Sequence, residues 1–181
     1  MVHNLEKGFF MENIEFIKNN ASVIGECGEV EDVDLYRYYL CGETLYFEGT
    51  GELIDGYDFY DFDWSPSYDR VFKLNSAKKI IISSGCTAIG DNVFDEVRDW
   101  TCGENWDRIY IKEPFHAESI IIPYGVTAIG ERAFAGCVYL HTLVIPETVV
   151  SIGKDAFLGV PHIVYHGLAQ SDDNWGAKKR N

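Results

Sequence analysis

Between residues 80 and 157 the apolar positions of the chain recur three times in one pattern. Ile80-Ile81-Ile82, Ile120-Ile121-Ile122 and Leu143-Val144-Ile145 each open a segment. The pairs Ile89-Gly90, Ile129-Gly130 and Ile152-Gly153 follow, and Phe94, Phe134 and Phe157 close it. The three segments align without gaps. The second and third copies start 23 residues apart and the first and second 40 apart, so 17 extra residues separate the first two. Short β-branched runs suit strands, and Pro123 and Pro146 end two of them, because proline cannot donate to a sheet ladder. Gly90, Gly130 and Gly153 are read as turns that need a positive φ. Val93, Ala133 and Ala156, each followed by Phe, predict a tight helical turn whose small residue admits the neighbouring unit while the ring fills the core. One such unit cannot bury its apolar face alone. Stacking units side by side does so, which predicts a solenoid with a parallel strand ladder. Its expected core is Ile80, Ile82, Ile89, Phe94, Ile120, Ile122, Ile129, Phe134, Leu143, Ile145, Ile152 and Phe157.

Outside the repeats the pattern changes. Phe10, Ile14 and Ile17 fall at helical spacing within residues 5–19, predicting a short amphipathic helix that docks on the array. Tyr36 to Leu40 and Thr44 to Glu48 flank Cys41-Gly42 and predict a β-hairpin covering the first strand of the ladder, an edge that would otherwise invite aggregation. The fold class is therefore α+β and β-rich. The expected organisation is an N-terminal helix over 1–22, a hairpin cap or degenerate first repeat over 23–76, repeats over 77–160 interrupted by an insertion at 95–118, and a C-terminal cap and tail over 161–181.

Charge narrows the function classes. The chain has 181 residues, 15 basic and 29 acidic, for a net charge of −14. Residues 1–76 carry −11 of it and residues 77–181 carry −3. Such acidity disfavours nucleic acid and anionic membranes as partners. No apolar run approaches the roughly 18 residues that a membrane helix needs, and Met1 to Asn20 does not read as a secretory leader. Cys27, Cys41, Cys86, Cys102 and Cys137 are odd in number and form no Cys-x-x-Cys pair, which favours free thiols over a disulfide framework or a structural zinc site.

The pattern Leu140-x-x-Leu143-x-Ile145-Pro146-x-x-Val149-x-x-Ile152-Gly153-x-x-Ala156-Phe157 resembles the BspA-type leucine-rich repeat found in many bacterial surface and secreted proteins. Ala135-Gly136-Cys137 after Phe134 fits the same family. Gly25 to Gly28 with Thr44 to Leu53 resembles an opening segment of such arrays, and His162 to Gly167 with Trp175-Gly176-Ala177 resembles a closing one. Cys86 departs from the pattern, standing where Val126 and Val149 stand. The resemblance implies a repeat solenoid with a role in attachment or host interaction, at the cell surface or secreted.

The remaining constellations carry less. Gly56-Tyr57-Asp58-Phe59-Tyr60-Asp61-Phe62-Asp63-Trp64 offers carboxylates for a cation and flat aromatics for a sugar. Its spacing is not that of a calcium loop, so the bland reading is a solvated acidic face with packed aromatics. His162 and His166 lie four apart on a predicted strand, where alternation does not converge them as a helix would. Ser83, Ser84 and Ser119 lack a nucleophile-elbow context. Gly49-Thr50-Gly51 fails as a dinucleotide fingerprint, because Ile54 stands at the third glycine position. No catalytic residue, metal site or cofactor is predicted. The insertion carries Trp100, Trp106 and Tyr110, residue types favoured at interfaces, or else an extra strand with a local core. The expected function is non-catalytic binding of a protein, of unknown identity, through the strand-bearing surface or the 95–118 loop. Carbohydrate binding through Tyr57, Tyr60 and Trp64 is one alternative, and a structural spacer within a larger surface protein is another.

Overall fold

The computed structural model describes residues 14–27, 36–54, 76–95, 97–102, 108–169 and 175–177, with 97–102 and 108–113 described by strand path and register. A helix α1 occupies residues 14–19. The strands before the first repeat are β1 (Val23–Cys27), β2 (Tyr36–Cys41), β3 (Thr44–Glu48) and β4 (Gly51–Leu53). The first repeat holds β5 (Lys79–Ile82) and β6 (Cys86–Ile89), and the insertion holds β7 (Val97–Cys102) and β8 (Arg108–Glu113). The later repeats give β9 (Ser119–Ile121), β10 (Ala128–Ile129), β11 (Leu143–Ile145) and β12 (Ser151–Ile152), and β13 (Ile163–Tyr165) follows. The protein is thus strand-rich, with short parallel strands.

Each repeat supplies one strand to each of two parallel ladders. β3, β5 and β9 pair in parallel, pairing Leu45 with Ile80 and Ile80 with Ile120. β11 lies beside β9 and continues this side as a separate two-stranded sheet, pairing in parallel with β13, Leu143 opposite Ile163. The second ladder runs β4, β6, β10, β12, bringing Leu53, Ile89, Ile129 and Ile152 into one row. Residues 44–53, ahead of the first sequence repeat, therefore occupy a repeat unit's place in both ladders. At that end β1, β2 and β3 form an antiparallel meander, so the hairpin of β2 and β3 gains a third strand.

Between the ladders the repeat phenylalanines stack. Phe94 and Phe134 lie with ring centroids 5.2 Å apart and Phe134 and Phe157 5.9 Å apart, each pair 17° from parallel. Phe47 closes the file at one end, edge-on to Phe94 at 5.8 Å, and Trp175 at the other, edge-on to Phe157 at 6.3 Å. Ile80, Ile82, Ile89, Ile120, Ile122, Ile129, Leu143 and Ile145 are buried around this file with the phenylalanines, and Ile152 packs against them partly buried. Main-chain hydrogen bonds run from one unit to the next: Phe94 N–H to Ala133 O at 2.7 Å, Phe134 N–H to Ala156 O at 2.8 Å, and Phe157 N–H to Trp175 O at 2.9 Å. Val93, Ala133 and Ala156 are fully buried at these crossings, in turns rather than helix. Cys86 is buried where Val126 and Val149 are buried in later units, so a thiol replaces an isopropyl group without a change of environment.

The glycines of the Ile-Gly pairs serve a different purpose from the one expected. Gly90, Gly130 and Gly153 do not have positive φ; the left-handed residues are Asn92, Arg132 and Asp155, two positions later, at φ of 57°, 53° and 53°. What the glycines provide is room. A Cβ on Gly130 would lie 2.5 Å from the carbonyl carbon of Gly90, and one on Gly153 2.5 Å from that of Gly130. Successive units stack glycine backbone on glycine backbone, at a distance that no side chain permits.

Candidate interaction surface

The alternation of a strand places Ile80 and Ile82 inward and Ile81 outward, and the ladder repeats this from strand to strand. Tyr39, Tyr46, Ile81 and Ile121 thereby form one outward apolar row by register. The repeat alignment puts Val144 next in the row, and Val164 is the register partner of Val144.

One part of the row is covered. α1 lays Ile17 onto Tyr39, Tyr46 and Ile81 as a small second core, with Ile14, Ala21 and Cys41 packed against it. A polar clamp closes its rim. Lys18 Nζ donates to Glu48 Oε1 at 2.8 Å, the Tyr39 hydroxyl donates to Glu48 Oε2 at 3.0 Å, and the Lys18 ammonium sits 5.6 Å from the centre of the Tyr39 ring. The hydrogen bond from Lys18 holds the Glu48 carboxyl below its usual value, against the opposing effect of its partial burial. The same bond raises Lys18. Burial raises the Tyr39 hydroxyl, with Glu48 adding to the effect, and burial raises Tyr46. These groups fasten the helix to the strand face.

The other part of the row is open. Ile121 is 36 % exposed, Val144 is 62 % exposed, and Val164 is half-buried. Its margins are polar: Lys79, Ser119 and Thr142 on one side, all exposed, and exposed His166 on the other. Thr142 Oγ1 and His162 Nδ1 lie 3.4 Å apart along that first margin. Among the described residues no group of three His, Cys, Asp or Glu side chains is placed to hold a metal ion. Ser83, one of the serines weighed for chemistry, donates its hydroxyl to Gly49 O at 2.6 Å and accepts from Gly49 N–H, tying two units together. Cys137 is a wholly buried thiol pushed far up by desolvation, and Cys86 is also raised by burial, so neither is a ready nucleophile.

Two of the residues singled out for binding lie on described strands. Trp100 and Tyr110 are register partners at the centre of the antiparallel pair β7–β8, which joins no other strand among the described residues. Trp106, Tyr57, Tyr60 and Trp64 lie outside the described residues. Ile121 and Val144 went unnamed as site residues, although the signal was available: each is the middle member of a three-aliphatic run, and alternation must turn it away from the core.

Residues 108–174 match the model of the BspA-type leucine-rich repeat region. A crystal structure of a leucine-rich repeat protein from Eubacterium ventriosum matches over 79 % of this chain and 28 % of its own length, at 15 % identity and a TM-score of 0.31. This chain therefore spans little more than a quarter of that one. No curated protein matches the chain significantly.

Proposed function

Residues 108–174 being a BspA-type leucine-rich repeat region, we propose that this chain is a non-catalytic protein-binding module built as a short capped solenoid. Leucine-rich repeat domains commonly mediate protein interactions, and BspA-type proteins are typically at the cell surface or secreted. The proposal extends this to attachment or host interaction outside the cell. The proposed organisation is a helix over 1–22, a hairpin cap or degenerate first repeat over 23–76, repeats over 77–160 with an insertion at 95–118, and a C-terminal cap and tail over 161–181. The observation that carries the binding reading is the open apolar row of Ile121 and Val144 on an ordered strand face. An apolar surface held on regular strands is where recognition is gained at low entropic cost.

The test is to probe arrays of proteins and of glycans with the full chain and with Ile121→Asp/Val144→Asp. Saturable protein binding that the double variant loses supports the module. Binding to glycans alone, or to nothing, overturns it. A second surface is favoured by one observation, the register of the β7–β8 pair, in which Trp100 stands opposite Tyr110, Arg98 opposite Lys112 and Cys102 opposite Arg108. Protein binding that survives the strand-face variant and falls in Trp100→Ala/Tyr110→Ala assigns the contact to that hairpin.

A further inference from the structure

We infer that the open half of the outward row takes an amphipathic helix from a partner protein, its apolar stripe laid across the strands and a carboxylate facing Lys79; this rests on the strand-face reading above. The first argument is continuity with an interface already formed on the same row. α1 seats Ile17 across β2, β3 and β5, and the row continues past it through Ile121 by register and, with β11 lying beside β9, through exposed Val144 at the matching position of the next repeat. What Tyr39, Tyr46 and Ile81 accept from this chain's own helix, the next three strands offer unfilled.

The second argument is metric. Neighbouring strands lie about 4.8 Å apart, and an α-helix advances about 5.4 Å per turn. A helix lying across the ladder therefore presents one apolar side chain per strand, falling out of step by only about 0.6 Å each time. An extended segment in the same direction repeats its face about every 6.6 Å and loses register by nearly 2 Å per strand. Three strands, carrying Ile121, Val144 and Val164, match positions i, i+3 or i+4, and i+7 of a helix.

The third argument is charge. Where α1 brings a lysine, the strand face answers with Glu48. Beside the open half the outward charge has the opposite sign: Lys79 is exposed and joins no ion pair among the described residues. The exposed acids nearby are Glu118, which acts on Lys78 along with Glu43, and Glu147 in the turn after β11.

The experiment is selection of a displayed library of random 16-residue peptides on the full chain, with Val144→Asp and Lys79→Glu as parallel targets. Enriched peptides with aliphatic residues at i, i+3 or i+4 and i+7, and with an excess of acid, are expected. Made synthetically, they should bind the full chain at least tenfold more tightly than either variant, and become helical on binding. Enrichment of extended or proline-rich peptides that Val144→Asp no longer binds overturns the helical partner and leaves the strand-face reading standing. Peptides that bind Val144→Asp equally well, or no enrichment on any target, overturn both. Both substituted side chains are exposed, and an unchanged melting temperature verifies that each variant is folded.

Discussion

Tyr46 and Val144 stand at the same outward position of the strand ladder, three units apart, yet Tyr46 is 5 % exposed and Val144 is 62 % exposed. The strands beneath them are alike, with Leu45 and Phe47 buried inward from one and Leu143 and Ile145 from the other. Among the described residues, the difference is the helix that lays Ile17 on Tyr46. Where α1 lies, an outward aliphatic position becomes core; where it does not, the same position becomes a surface available to another chain. Burial in this fold is therefore set twice, once by stacking of units and once by whatever lies on the ladder.

The largest effect should come from breaking what both halves share. Phe134 stacks between Phe94 and Phe157 at zero exposure. Phe134→Ala should cost about 3–5 kcal/mol, read as a lower midpoint in denaturant, since the rigid units on either side cannot collapse into the gap. A loss below about 1 kcal/mol would mean that the file of rings is not what holds the units together. Next comes the covered half alone. Ile17→Ala removes the side chain that seals Tyr39, Tyr46 and Ile81. It should cost about 2 kcal/mol, near the lower end for a buried aliphatic truncation because a helix lying on the surface can readjust. Dye binding to exposed apolar surface should rise at the same time, making the covered half resemble the open one.

Gly130→Ala marks the boundary of what could be read from the chain. Its added methyl meets the backbone of Gly90, which cannot move aside as a side chain would. The loss should be about 1–3 kcal/mol by thermal melting. Ile-Gly was legible as a repeated pair, but the reason for the glycine was not. Backbone freedom and backbone proximity demand the same residue, and only the distance between units tells them apart. The left-handed positions fell instead on Asn92, Arg132 and Asp155. Two of these are residue types that tolerate that region; the third is an arginine whose guanidinium reaches Asp95 at 3.0 Å. The ladders, the aromatic file and the hairpin of β2 and β3 follow from periodicity, because burial on one side imposes a period of two along a strand and one recurrence per unit. The third strand of the meander, β1, was not legible: Val23 to Cys27 contains two small or polar breaks, Gly25 and Glu26, and its pairing with β2 is fixed by partners distant in sequence. The candidate site was half legible, since alternation marks Ile121 and Val144 as outward, while which outward positions α1 covers depends on tertiary docking.

The clamp on α1 should give a smaller and pH-dependent effect. The Glu48 carboxyl is lowered from its ordinary 4.5, so its contribution is present above that value and is lost as pH falls through the lower folded value. Lys18 is raised from 10.5, so its contribution is present below that value and is lost as pH rises through the higher folded value. Tyr39, raised from 10.0, opposes its own ionisation in the folded state, which starts the alkaline loss near pH 10. The helix should therefore be held most firmly between about pH 5 and 9. Lys18→Met should flatten the acid flank of the stability–pH curve while leaving the alkaline loss that Tyr39 sets, since Lys18 lowers Tyr39, and should cost under about 1 kcal/mol at neutral pH, because both partners are partly exposed to solvent. An unchanged acid limb in this variant would assign the acid loss to other carboxylates.

The smallest effect on folding is the sharpest test of the comparison. Val144→Asp places a carboxylate at an outward position where Tyr46, its counterpart, could not accept one. Val144 sits in water on its outer side, and Leu143 and Ile145 carry the burial of its strand. The substitution should change stability by no more than about 0.5 kcal/mol. Tyr46→Asp, at the covered counterpart, should cost several times more, because a charge would be sealed beneath Ile17 next to Glu48. Equal losses at the two positions would mean that Val144 is covered in solution by some part of the chain itself, and the open half of the row would then be closed to any partner. A large loss only at Tyr46 keeps the two halves distinct, with α1 as the cover that separates them among the described residues and Val144 as the position where the proposed binding can be tested without disturbing the fold.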